Sequence, residues 1–162
     1  MTASQTTFIT RKGFDIQANN VDVAGDLTVA GTTTQTGALA ITGALTVTGL
    51  ISANGGTKEL YSEVGANGAI TQKSGVIAIN KAGVCALTIA DPTDVTDDGK
   101  ILRIIAYTAS AHTVDNSAGS GFNIGGAGSD IGTFGGAIGD NMTIVASNGK
   151  WLVLSKVNVT LA

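Results

Sequence analysis

Glycine recurs at every sixth residue through the first third of this 162-residue chain, at positions 25, 31, 37, 43, 49 and 55. Written in sixes from Asn19, the chain reads NNVDVA, GDLTVA, GTTTQT, GALAIT, GALTVT and GLISAN. A period of six fits neither the 3.6-residue turn of a helix nor the plain alternation of a long strand. The third and fifth positions are Val21/Val23, Leu27/Val29, Thr33/Gln35, Leu39/Ile41, Leu45/Val47 and Ile51/Ala53, apolar in every hexad but GTTTQT. Residues two apart on a strand share a face. Each hexad therefore reads as a short strand with one apolar face and a glycine corner, where a side chain would clash or φ must be positive. That is the pattern of a β-solenoid or a fibre.

How many chains build it follows from the length. A single-chain left-handed β-helix uses three hexads for each triangular coil, so these six give two coils, and a solenoid needs about three repeats to stand alone. Three chains winding together supply three times as many hexads around one axis, and the closed symmetry usual in homo-oligomers favours that solution. The sequence thus predicts a short trimeric β-helical stalk over 19–57. Its core would comprise Val21, Val23, Leu27, Val29, Gln35, Leu39, Ile41, Leu45, Val47 and Ile51. The Thr33/Gln35 hexad reads either as a hydrated polar layer or as three Gln35 amides meeting on the axis and fixing register, as a buried polar layer does in a coiled coil.

Residues 1–18 lack a regular pattern but hold Phe8, Ile9, Phe14 and the basic pair Arg11-Lys12. A stalk needs a mount, and this segment reads as an N-terminal attachment arm. Residues 58–74 read as a connector with a turn at Asn67-Gly68. From 75 to 162 the pattern changes to longer apolar runs: Gly75–Ile79, Val84–Ala90, Lys100–Tyr107, Ala111–Val114, Met142–Ala146, Trp151–Ser155 and Val157–Leu161. Asp98-Gly99 and Ser147-Asn-Gly-Lys150 carry hairpin chemistry. Strands this short, with turns at this spacing, predict a compact β-sandwich or barrel head with Trp151 half-buried on its hairpin. Helix formers are sparse beside Gly, Thr, Val and Ile, so the whole chain reads as all-β.

Charge narrows the partners. Nine basic against twelve acidic residues leave a net charge of −3 with no basic cluster, so nothing here tracks phosphates and nucleic acid is excluded as a partner. Apolar runs are too short to span a bilayer and the first residues lack the charged-then-apolar layout of a signal peptide, so neither a membrane nor secretion is expected. Cys85 is the single cysteine, as expected of a chain made in a reducing cytosol.

Four stretches imitate functional motifs. Gly125-Gly-Ala-Gly-Ser-Asp130 opens like a calcium-binding nonapeptide, but it occurs once and has Gly132 where a large apolar residue belongs. Gly119-Ser-Gly-Phe-Asn-Ile-Gly125 has the wrong spacing for a dinucleotide loop and no helix after it. The aspartates of Asp91-Pro-Thr-Asp-Val-Thr-Asp-Asp98 lack calcium-loop spacing and read as a solvated, capped turn. Cys85 with His112 lacks a third orienting group. No catalytic residue, metal ligand or cofactor site is expected. Seven aromatics give weak support to carbohydrate recognition, so a host-surface glycan stays an open partner.

The stretch GDLTVAGTTTQTGALAITGALTVTGLISANGG resembles the stalk repeats of tailed-phage fibre and head-decoration proteins, although bacterial adhesins use the repeat too. The closing stretch from Ala106 is similar to a C-terminal head of phage virion proteins. It shares the Ala-His-Thr-Val, the glycine-rich loop, the Phe-Gly-Gly-Ala-Ile-Gly-Asp run and the Asn-Gly-x-Trp hairpin. The resemblance implies a homotrimeric virion structural protein without enzymatic activity. The short stalk and single small head have the proportions of a capsid decoration (cement) protein or head fibre. It would be made in the bacterial host cytoplasm and seated on the outer capsid surface, with Phe8, Ile9, Arg11, Lys12 and Phe14 meeting the major capsid protein. Two alternatives stand beside it: a tail-fibre or receptor-binding tip, and a left-handed β-helix enzyme of the acyltransferase kind.

Overall fold

The computed structural model describes residues 26, 28–53, 55–123 and 129–162, and it divides into two units between Ile51 and Ser52. The expected arm residues Phe8, Ile9, Arg11, Lys12 and Phe14, with Val21, Val23 and Leu27 of the stalk, lie outside the described residues, as do 125–128 of the calcium-like motif.

In the described part of the first unit the chain bends at Ala30-Gly31, Thr36-Gly37, Thr42-Gly43 and Thr48-Gly49, once per hexad, and joins no strand between bends. None of the described residues there belongs to a strand.

The second unit holds ten strands and, among the described residues, no helix. They are β1 (Tyr61–Val64), β2 (Gly68–Ile70), β3 (Gly75–Ile79), β4 (Ala86–Ile89), β5 (Ile101–Ala106), β6 (Thr113–Asp115), β7 (Ile131–Phe134), β8 (Asn141–Ser147), β9 (Lys150–Val157) and β10 (Val159–Leu161). One five-stranded sheet runs β1-β3-β5-β8-β9 and the other β10-β7-β6-β4-β2. The sequence expectation of an all-β head therefore stands, but its winding differs from a chain of hairpins. Up to β6 the chain alternates between the sheets, and within each sheet the successive strands are parallel. Parallel neighbours need a crossover. Here each crossover is a strand of the opposite sheet, so the first six strands are three turns of a two-sheeted coil. The last four strands close it antiparallel: β8 on β5, β9 on β8, β7 on β6, and β10 on β7.

Three expectations are corrected. Residues 58–74, read as a connector, supply β1 and β2 of the two sheets. Asp98-Gly99 is not a hairpin turn, because β4 and β5 belong to different sheets. Trp151 is fully buried, and its Nε1–H donates to Ala90 O at 3.0 Å beneath the Lys73 ammonium, 5.6 Å from the ring centroid. The Ser147–Lys150 turn does join β8 and β9, with Asn148 at φ 49° and Gly149 at φ 68°, the left-handed pair that such a turn demands.

One core lies between the sheets. Ile77, Ile79, Leu102, Ile104, Met142, Ile144 and Trp151 enter it from the first sheet, and Ile70, Leu87, Ile89, Val114, Phe134 and Val159 from the second. Gly75 shows how tightly the coil is stacked: at φ +91°, a Cβ there would lie 2.2 Å from Leu60 O. Only glycine fits that position.

Candidate functional site

The hexad segment presents the largest unmet demand. Of the predicted core, Val29, Gln35, Leu39, Ile41, Leu45, Val47 and Ile51 are described, and all are exposed, Leu39 by 69% and Leu45 by 65%. Gln35 turns its Nε2 donor to Ala38 O of its own chain at 2.7 Å. A single-chain left-handed coil would pair each hexad with the one eighteen residues on, and no such pairing occurs among the described residues. The structure thus sets these side chains on one repeating pattern and covers none of them.

In the second unit the fold sorts the aromatics. Phe122, Phe134 and Trp151 are fully buried, whereas Tyr61 and Tyr107 are 44% and 47% exposed. The two tyrosines stand 46 positions apart in sequence. Tyr61 lies on edge strand β1 and Tyr107 just beyond β5, on the outward face of one sheet with β3 between them. The Tyr107 side chain is close enough to act on the titration of the Tyr61 hydroxyl. Ala78 of β3, lying outward with only a methyl group, has no exposure at all. Tyr61 also donates to Glu63 Oε1 at 2.9 Å, and Asn80 Nδ2 donates to Glu63 Oε2 at 2.6 Å. Loss of water around the Tyr61 hydroxyl, then the neighbouring Tyr107 and Glu63 side chains, push its pKa up. Sequence reading missed the pair, since nothing in linear order joins a residue of an expected connector to one at a strand end.

Among the described residues, three of the imitated motifs have other occupations. His112 is fully buried, with Nδ1 accepting the Cys85 backbone N–H at 3.1 Å and Nε2 facing Thr108 Oγ1 at 3.1 Å, which fixes the Nε2–H tautomer. The Cys85 thiol points at Ala66 O, 3.2 Å away, and burial pushes its pKa up, the opposite of what a nucleophile needs. In the acidic loop, Asp97 accepts from Thr93 N–H at 2.7 Å and Lys100 Nζ at 2.6 Å, which hold its carboxyl below the usual range, Lys100 most strongly. Asp98 Oδ1 takes the Asn148 N–H at 2.8 Å, tying this turn to the β8–β9 turn. Asp91 accepts both N–H and Oγ–H of Ser120, and buried Asn116 bridges Ile89 O and the Gly121 N–H. These bonds spend the loop's polar groups on shape. Among the described residues no group of three or more His, Cys, Asp or Glu side chains is placed to hold a metal ion.

A cavity of about 420 Å³ opens beside β2 and β4, lined by Ile70, Thr71, Lys73, Thr88, Ile89 and Asp115 among others. Its charged groups are engaged: Lys73 Nζ donates to Ala90 O and Asp91 O at 2.9 and 3.0 Å, and Asp115 accepts the Ser117 N–H at 2.7 Å. Among the described residues no helix is long and apolar enough to cross a membrane. Compared with known proteins, the chain matches no family model and no curated sequence.

Proposed function

We propose that this protein is a homotrimeric structural component of a bacteriophage virion, a capsid decoration (cement) protein or head fibre on the outer capsid surface. The observation that carries the reading is the contrast between its units. The ten-strand unit completes its own core, whereas the hexad segment exposes every apolar side chain described in it. A chain made this way is built to be shared among copies, and the resemblance of both stretches to phage stalk and head sequences supplies the setting.

The mechanism is mechanical. Three N-terminal arms carrying Phe8, Ile9, Arg11, Lys12 and Phe14 would hold the major capsid protein. Linking three weak contacts turns the second and third into intramolecular events, with avidity 10² or more above a single arm, to order of magnitude. Neighbouring capsomers would then be tied against internal pressure. The direct test adds purified protein to shells lacking it, images them by electron cryomicroscopy and follows their survival on heating. Density on outer threefold positions with raised survival temperature is the expected result; density confined to the tail would sink the capsid reading.

A second reading, a receptor-binding tip, is favoured by the exposed tyrosines Tyr61 and Tyr107 on the side of the sheet that carries Glu63 and Asn80, since exposed aromatic rings beside a carboxylate and an amide suit sugar rings. Adsorption of virions to host cells compared between parent and Tyr107→Ala chains separates the two: an unchanged adsorption rate removes this reading.

A further inference from the structure

Among the described residues nothing asks for glycine at the five hexad corners from Gly31 to Gly55. Gly31, Gly37, Gly43, Gly49 and Gly55 all keep φ outside the left-handed region, and a Cβ built on any of them meets nothing within 4 Å. Neither reason given by the sequence pattern, positive φ or an internal clash, applies in the isolated chain. Gly75 is the counterexample, since there both reasons apply. At the hexad corners alanine would favour the ordered chain, because it has fewer unfolded conformations to lose. Glycine at every sixth position therefore answers to something outside the chain.

The apolar surface says what that is. Between Val29 and Ile51 every large apolar side chain is exposed, Leu39 by 69%, Leu45 by 65% and Ile51 by 64%, and exposed apolar residues gathered on one face mark an interaction surface. Charge gives no alternative occupant, because residues 28–53 contain no ionisable side chain. What matches an uncharged apolar face repeating every six residues is the same face on another copy.

The geometry points to three interlaced copies in which each hexad glycine is the place where a neighbouring copy's backbone passes in contact. The third- and fifth-position side chains of the three copies then fill a common axis. This rests on the trimeric reading above and deepens it, since three separately wound coils lying side by side would pair strands within each chain. No such pairing exists among the described residues of the segment. Interlacing would also offer strand partners on the other copies to the backbone between bends, which joins no strand among the described residues.

The test uses the full chain with Gly37→Ala and Gly43→Ala, singly and together. Mass is followed against concentration by analytical ultracentrifugation, and the thermal transition of the ten-strand unit serves as the folding control. Leu45→Ala shows that the assay senses the segment. The expected result is that each glycine variant raises the concentration for half-assembly at least tenfold, the pair more, with the thermal transition of the second unit unmoved. Glycine variants that assemble as well as the parent, or better, while Leu45→Ala assembles worse, overturn interlacing and leave the trimer standing. A parent chain that stays at 16.1 kDa at micromolar concentration overturns both.

Discussion

The two units put similar amino acids to opposite uses. Ile77, Ile79, Leu102 and Ile104 are at most 2% exposed, whereas Leu39, Ile41, Leu45 and Val47 stand 42–69% exposed in the same kind of extended chain. The difference lies in what comes back to cover them. In the ten-strand unit a residue on one sheet meets the opposite sheet within a single turn of the coil, because each crossover is itself a strand. In the hexad segment the corners fall after every sixth residue, and no later stretch of the described segment pairs with an earlier one. Apolar patterning alone therefore marks a strand without saying whose core it joins. Closure within the chain decides that.

The sharpest way to break the comparison is to remove the element that closes the second unit. Trp151 is fully buried, pairs with Phe122 in an isolated bridge and reaches Ala90 O. Trp151→Ala should destabilise that unit by about 3–5 kcal/mol through cavity formation and lost transfer energy. Thermal unfolding of the full chain measures it. A loss below about 1 kcal/mol, on the scale of a tolerated core change, would mean that the core closes elsewhere.

Gly75→Ala comes next. A Cβ 2.2 Å from Leu60 O must push β1 away from β3, and alanine at φ +91° adds backbone strain. The expected cost is about 2–4 kcal/mol, in the range of strain at a special φ/ψ combined with a steric shift. Set beside Gly43→Ala, which should leave this thermal transition unmoved, it measures the difference between a glycine required by its own fold and one whose Cβ would meet nothing in its own chain.

Acid should separate the units as well. Asp97, Asp115 and Asp140 are held below the ordinary carboxylate range: Asp97 first by Lys100, Asp115 by Ser117, and Asp140 by the Ala137 N–H and then Asn158. A depressed folded-state pKa contributes stability that is present above the unfolded value, about 3.9, and is lost as pH falls through the lower folded value. The second unit should therefore lose thermal stability as pH falls below about 4. Assembly through residues 28–53, which carry no ionisable group, should not follow that curve. Parallel melting and sedimentation runs from pH 6 to pH 3 check it, and Asp140→Asn should flatten the melting curve.

Much of this was legible in the sequence, and what was not has physical reasons. The runs at Gly75, Lys100, Met142 and Trp151 became β3, β5, β8 and β9 because alternation and turn chemistry are local. The coil was hidden because its turns are unequal: Tyr61 lies beside Val76, fifteen residues on, and Val76 beside Arg103, twenty-seven on, so no period shows. β1 and β2 escaped notice because edge strands such as Tyr-Ser-Glu-Val carry polar residues on their exposed positions. β7 was masked by a glycine inside it, Gly132, whose missing side chain makes room for Met142 Cε at 3.4 Å from the would-be Cβ. Of the candidate site, the hexad face could be read directly. The tyrosine pair could not, since only the parallel stacking brings β1 within reach of the end of β5.

The smallest effect concerns a residue that reverses the hexad glycines' situation. They have conformational freedom that their φ values do not use, while Val95, at the exposed tip of the acidic loop, holds φ +64° with a β-branched side chain. Valine in the left-handed region costs about 1–2 kcal/mol, and asparagine tolerates it. Val95 is 80% exposed, so its side chain contributes little burial to set against that cost. Val95→Asn should raise the second unit's stability by about 0.5–1 kcal/mol, seen as a small upward shift in its thermal midpoint with no change in assembly. A lower midpoint would show that this exposed valine is held by contacts worth more than the strain.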